Sequence, residues 1–180
     1  MKKIFFIILF LLIVLLSFFF VNFNNDSRSL TEQEIKKLQT IFYNDVDYSQ
    51  VMISTANLPP AMAAFVIGNR IIFREEYSTK DFSGNYLKMA RLVHEIGHVW
   101  ANQSTGLQTS LAAIMERVKF KDRVYSYDPL SGQKPLHEFR YEQQCQILSD
   151  YFIHRYLQND VSAYEKTIYK TITGTQSKAP

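Results

Sequence analysis

"LVHEIGHVW", residues 92–100, is the stretch whose reading decides the fold. It lies within a run, residues 84–103, in which Met89, Leu92, Val93, Ile96, Val99 and Trp100 fall on one side when projected at about 100° per residue. That run predicts an amphipathic helix. Residues four apart stand one turn apart on the same helical face. His94 and His98 can therefore offer two imidazole nitrogens to one ion at about 2.0–2.1 Å, on a face away from the apolar stripe. Glu95 points beside such an ion rather than at it. There it can take a proton from a water and pass it to a leaving amine, the logic of the H-E-x-x-H zinc hydrolase pattern.

A zinc site of this kind needs a third protein ligand from a later element. The best source is "HEFRYEQQCQILSDYF", residues 137–152, where Glu142, Gln146 and Ser149 share a helical face. Cys145 and Ser149 are small enough to let this second helix come close to the histidine helix. Glu142 is the preferred ligand, giving a His94, His98 and Glu142 site for one zinc ion per chain. Glu138, one turn earlier, and Asp150, two turns later, compete for the place. Asp150 also suits a supporting role, accepting the other ring N–H of a ligand histidine and setting its tautomer. Cys145 reads as a packing residue, and His137 and His154 as surface or cap residues. Tyr125, Tyr127 and Tyr141 are equal candidates to stabilise an oxyanion.

Outward from this centre, the chain is punctuated clearly. Thr31 and Glu34 form a capping box, with Leu30 and Ile35 placed as a hydrophobic staple, so a helix starts at residue 31 and should end near residues 43–45. Residues 48–54 are a β-type run closed by Leu58-Pro59-Pro60. Two further β-rich runs, 64–67 and 71–73, flank Gly68-Asn69-Arg70 and predict a hairpin. Leu107, Leu111, Ile114, Met115 and Val118 predict a helix packed behind the histidine helix. Residues 125–135 read as a loop, 136–157 as a long helix and 161–171 as a short one.

The ends and the composition bound the class. Residues 4–21 are apolar except for Ser17, and eighteen residues rise roughly 27 Å, near the thickness of a bilayer core. Lys2 and Lys3 precede this run and no small-x-small cleavage site follows it, so an uncleaved transmembrane signal anchor is expected rather than a removed signal peptide. The chain has 20 Lys+Arg and 17 Asp+Glu, and without Lys2 and Lys3 the remainder is nearly neutral, which argues against nucleic acid as a partner. One cysteine excludes an intramolecular disulfide. The expected organisation is an anchor over 1–23, a linker over 24–30, one folded domain over 31–172 and a flexible tail over 173–180.

"LVHEIGHVW" resembles the active helix of the zincin metallopeptidases, and the distant Glu142 resembles the gluzincin pattern. "LTEQEI" (30–35), "VDYSQVMI" (46–53), "AAFVIGNRIIF" (63–73) and "YEQQCQILSDYF" (141–152) are similar, in the same order, to blocks of small bacterial Vgr-related metallopeptidases. The resemblance implies an α+β minimal zincin with a small antiparallel sheet, zinc at positions matching His94, His98 and Glu142, and Glu95 as base. Two departures stand out: the N-terminal anchor, and Cys145 where alanine is more usual.

The expected protein is thus a single-pass inner-membrane zinc metallopeptidase, held through residues 4–21 with its domain facing outward, acting on a peptide or protein substrate. A non-catalytic interaction module of the cell envelope or secretion machinery, and an effector hydrolase acting on cell-wall peptides, are the competing expectations.

Overall fold

The computed structural model describes residues 27–130 and 134–176. A short strand β1 (Arg28–Ser29) leads into α1 (Glu32–Phe42). Thr31 caps that helix as its sequence requires: its Oγ1 accepts from the Glu34 N–H at 3.1 Å, and its own N–H donates to Glu34 Oε2 at 2.7 Å. Glu34 does more than cap. Its buried carboxylate also takes two bonds from Arg28, at 2.8 and 2.9 Å, and one from the Phe82 N–H at 2.8 Å. It ties the first strand, the first helix and the approach to the histidine helix to one point.

After a single 3-10 turn at Tyr48–Gln50 come β2 (Met52–Ala56), β3 (Ala64–Ile67) and β4 (Arg70–Arg74). The expected hairpin is present. Ala64 pairs with Phe73 and Ile67 with Arg70, around Gly68 at φ +56°, the positive φ that a type II′ turn places on its first central residue. The expectation of an antiparallel sheet, however, is corrected: the sheet is mixed, in the order β1-β2-β4-β3. β2 runs antiparallel to β1 but parallel to β4, with Met52 opposite Arg70 and Ala56 opposite Arg74. The proline-containing connection carries the chain past β4's place to the outer edge. β4, returning antiparallel to β3, then necessarily runs in the direction of β2. Strand periodicity carries no information about this choice of neighbour.

Four helices follow the sheet in sequence: α2 (Tyr86–Thr105), α3 (Gln108–Phe120), α4 (Tyr141–Tyr156) and α5 (Ser162–Gln176). Asn85 caps α2 by accepting from the Leu87 and Lys88 N–H groups at 3.0 and 3.1 Å. Gly106, at φ +86°, ends it. Met89, Leu92, Val93, Ile96 and Val99 are fully buried, and α2 lies between β3 and β4 on one side and α4 on the other. The two helices close tightly because Gly97 faces Cys145: a Cβ on Gly97 would stand 3.0 Å from Cys145 Sγ. Ser149 Oγ adds a bond to the Ala90 carbonyl at 2.9 Å.

Two expectations change here. The apolar residues of α3 do not pack as a core stripe: Leu111, Met115 and Val118 are exposed, and only Thr109 and Ala113 are buried. No helix among the described residues is long and apolar enough to cross a membrane. The transmembrane helix expected over 4–21 lies outside the described residues, so the fold itself is an α+β arrangement around a small mixed sheet.

Candidate metal centre

The site is assembled from α2 and α4, with α3 as its outer wall. His94 and His98 stand one turn apart with ring centroids 5.2 Å from each other. Both Nε2 atoms converge on Glu142 Oε2, at 3.3 Å from His94 and 3.4 Å from His98. Donor atoms about 2.0–2.1 Å from one tetrahedral ion lie about 3.3 Å from one another, so this spacing suits a zinc-sized ion. The histidine face is not an open surface: His94, His98 and Glu142 are all buried, since α4 covers them.

Cys145, three residues after Glu142, joins the same centre. His94, His98 and Cys145 form a cluster whose donor atoms all lie within 4.8 Å of one another, and this His/His/Cys group could bind a metal ion. Glu142 meets the tighter tetrahedral spacing; the sulfur meets the looser limit. The i, i+3 relation of Glu142 and Cys145 on one helix was the signal that could have found it.

Further positioning comes from two neighbours on α3. Arg117 Nε donates to Glu142 Oε1 at 2.6 Å, which leaves Oε2 to the histidines. Glu116 accepts from the backbone N–H groups of Tyr141 and Glu142, at 3.3 and 3.2 Å, closing the first turn of α4. Neither stood out in the sequence, because a charged pair at the end of a helix is usually a solvated one.

Glu95 is buried yet lines a cavity of about 710 Å³ that opens beside His98 and Glu142, and its carboxylate has no hydrogen-bond partner among the described residues. Of the three tyrosines, only Tyr125 lines this cavity; its ring stands 5.7 Å from that of His94. Tyr127 instead donates to Asp150 Oδ2 at 2.6 Å, and Gln146 donates to Asp150 Oδ1 at 2.8 Å, so both oxygens of Asp150 are engaged by partners other than the histidines. Glu138 is exposed on a single turn before α4.

The electrostatics follow from burial opposed by pairing. Burial alone would push the Glu142 carboxyl up, but hydrogen bonds from His94 and His98 and the charges of His98 and Arg117 outweigh it and hold it far below the usual carboxylate range. Burial would likewise lower His98; the Cys145 sulfur and the Glu142 carboxylate beside it raise it well above 6.5 instead. Burial pushes the Cys145 thiol up, against the pull of His98. Burial also lifts the Tyr125 phenol to about 12, so it remains a donor at neutral pH.

No known family signature matches the chain. The likeness is to an effector domain. The chain is 29% identical over 135 residues to the type VI secretion system spike protein VgrG2b of Pseudomonas aeruginosa, covering 71% of this chain and 13% of that protein. The solved effector domain of Pseudomonas aeruginosa VgrG2b superposes with a TM-score of 0.63 at 27% identity, over 79% of this chain and 82% of that one. The chain is therefore homologous to that domain and spans about an eighth of the spike protein. This relationship supports a secretion-system effector. The expected single-pass inner-membrane placement is corrected on two grounds: no helix among the described residues is long and apolar enough to cross a membrane, and the relative is a secretion-system spike protein.

Proposed function

We propose that this chain is the zinc-dependent peptidase domain of a secretion-system effector, with residues 31–172 as its functional unit. The observation that carries the proposal is the meeting of His94 Nε2, His98 Nε2 and Glu142 Oε2 beside a cavity into which an unpaired Glu95 opens. His94, His98 and Glu142 would hold zinc, which supplies Lewis acidity to water and to a carbonyl oxygen. Glu95 takes the proton of the attacking water and returns it to the leaving amine nitrogen. Tyr125, kept protonated by burial, donates its O–H to the oxyanion that develops on the scissile carbonyl. β3 forms the edge of the sheet, and its Phe65 and Val66 line the cavity, so an extended peptide can lie along it.

Glu95→Gln should retain about one zinc per chain while peptide hydrolysis falls by roughly 10²–10⁴-fold. Metal analysis of protein prepared without chelator checks the first part, and a peptide library the second. Zinc-free protein, or full activity in the variant, refutes the reading. Purified peptidoglycan beside that library tells a cell-wall peptide substrate from a protein one.

Cys145 favours one other reading. With His94, His98 and Glu142 it would make four protein ligands, the closed arrangement of a structural site in an interaction module. Cobalt-substituted protein separates the two: a sulfur-to-metal charge-transfer band that vanishes in Cys145→Ala marks the closed site, and its absence marks the open one.

A further inference from the structure

Outside the metal centre the cavity is walled by apolar side chains, among them Met62, Phe65, Val66, Ala113, Ile114 and Val118. Apart from Glu95, His98 and Glu142, its charged lining residues are Arg117 and Lys121, both cations, one turn apart at the end of α3. Arg117 is held in place: Nε is committed to Glu142 Oε1 at 2.6 Å, and the guanidinium lies 5.8 Å from the Tyr125 ring centre. Its terminal N–H groups have no hydrogen-bond partner among the described residues, and 27% of the side chain remains exposed. Lys121 is exposed and has no ion pair among the described residues.

We propose that Arg117 and Lys121 read a carboxylate of the substrate, so that the preferred ligand is a peptide with an apolar side chain and an acidic group close to the scissile bond. The inference rests on the peptidase reading and names its substrate class. A guanidinium fixed at one nitrogen offers the rest of its fork already oriented, which suits a planar carboxylate. Apolar neighbours beside the half-buried Arg117 strengthen the attraction there. Glu95 and Glu142 offset the two cations, so the preference is local to the α3 end in the metal-free chain. It grows once a bound divalent ion adds its charge to the site. The acid can be an Asp or Glu side chain or a free C-terminus; the chemistry is shared.

The test uses the full chain and one peptide series around an apolar residue, with Glu, Gln or Lys at each flanking position and with free or amidated C-termini. Binding to the metal-free chain is read by fluorescence anisotropy, and kcat/KM is measured on the zinc-loaded chain. The acidic member should bind about tenfold more tightly than its amide and be cleaved faster by at least that factor, as expected for charge-assisted bonds. Lys121→Gln, at an exposed position, should shrink the ratio of acid to amide binding toward one. If the side-chain acid series responds, the source is Asp or Glu; if only the free terminus responds, the chain acts at C-terminal ends. Equal handling of acid, amide and lysine peptides overturns the inference. Absence of cleavage of every peptide refutes the peptidase reading instead, and the binding arm still decides the preference.

Discussion

Arg117 is the residue the sequence hid and the structure makes indispensable to Glu142. Two effects oppose each other when it is removed. Its charge repels a metal cation, so its loss could tighten binding. Its bond at 2.6 Å, however, neutralises and orients a carboxylate that is only 1% exposed. Without it, the buried Glu142 holds the proton of His98 more tightly, and that proton must leave before an ion enters. Orientation therefore wins, and Arg117→Met should weaken zinc by roughly 10–100-fold in chelator competition. The same change in a Glu142→Gln background should cost under about twofold, because it acts through that carboxylate. Additive losses, or tighter zinc, would falsify the role. His98 sets the pH dependence. Its folded pKa lies well above 6.5, so in the metal-free chain its pairing stabilises fully below the unfolded value and is lost as pH rises through the folded one. On the proposed reading zinc would displace that proton, so zinc affinity should climb as pH rises from about 6 to 8. Isothermal titration in buffers of different ionisation enthalpy would report the released proton; a flat pH profile rejects the assignment.

At the scale of elements, the α2–α4 contact is the joint on which the site depends. A glycine inside a helix costs about 1 kcal/mol relative to alanine, so Gly97 needs a packing reason. Cys145 supplies it, at 3.0 Å from where a Cβ would sit, with the Cys145 Cα at 3.4 Å. Backbone cannot yield as a side-chain tip does. Gly97→Ala should therefore destabilise by about 1–3 kcal/mol, more than the propensity it gains, and should loosen zinc by shifting α4. Adding Cys145→Ala opens space and should recover much of the loss in a thermal melt; a single variant that melts higher than wild type overturns this account. What could be read beforehand at this scale was local. The capping box at Thr31, the helical run over 84–103 and the 64–73 hairpin all follow from neighbouring residues. What could not be read was pairing at a distance: β2 against β4 in parallel, Glu34 reaching Phe82, and the Glu116–Arg117 clamp on α4. The α3 stripe misled because spacing reports that a helix has an apolar face, not whether a core or a cavity meets it.

Across the whole molecule, the core and the metal centre are separable. One core cluster joins Leu38 of α1, Ile71 and Phe73 of the sheet, the buried apolar residues of α2, and Ile147 and Phe152 of α4, with Ile168 of α5 at its margin. None of these side chains is a metal donor. The donors, moreover, satisfy one another without an ion: Glu142 Oε2 meets both histidines and Oε1 meets Arg117. A structural zinc site behaves otherwise, since its ligands have no such partners and binding free energy becomes folding free energy. Chelation should thus leave this chain folded, with its near-ultraviolet circular dichroism retained and its stability lowered only by mass-action linkage, about 2.7 kcal/mol at a hundredfold excess of zinc over its dissociation constant. Cys145→Ala should alter that response little. If chelator instead unfolds the chain cooperatively, the ion holds the fold through a closed His94, His98, Cys145 and Glu142 site, and the peptidase proposal falls with it.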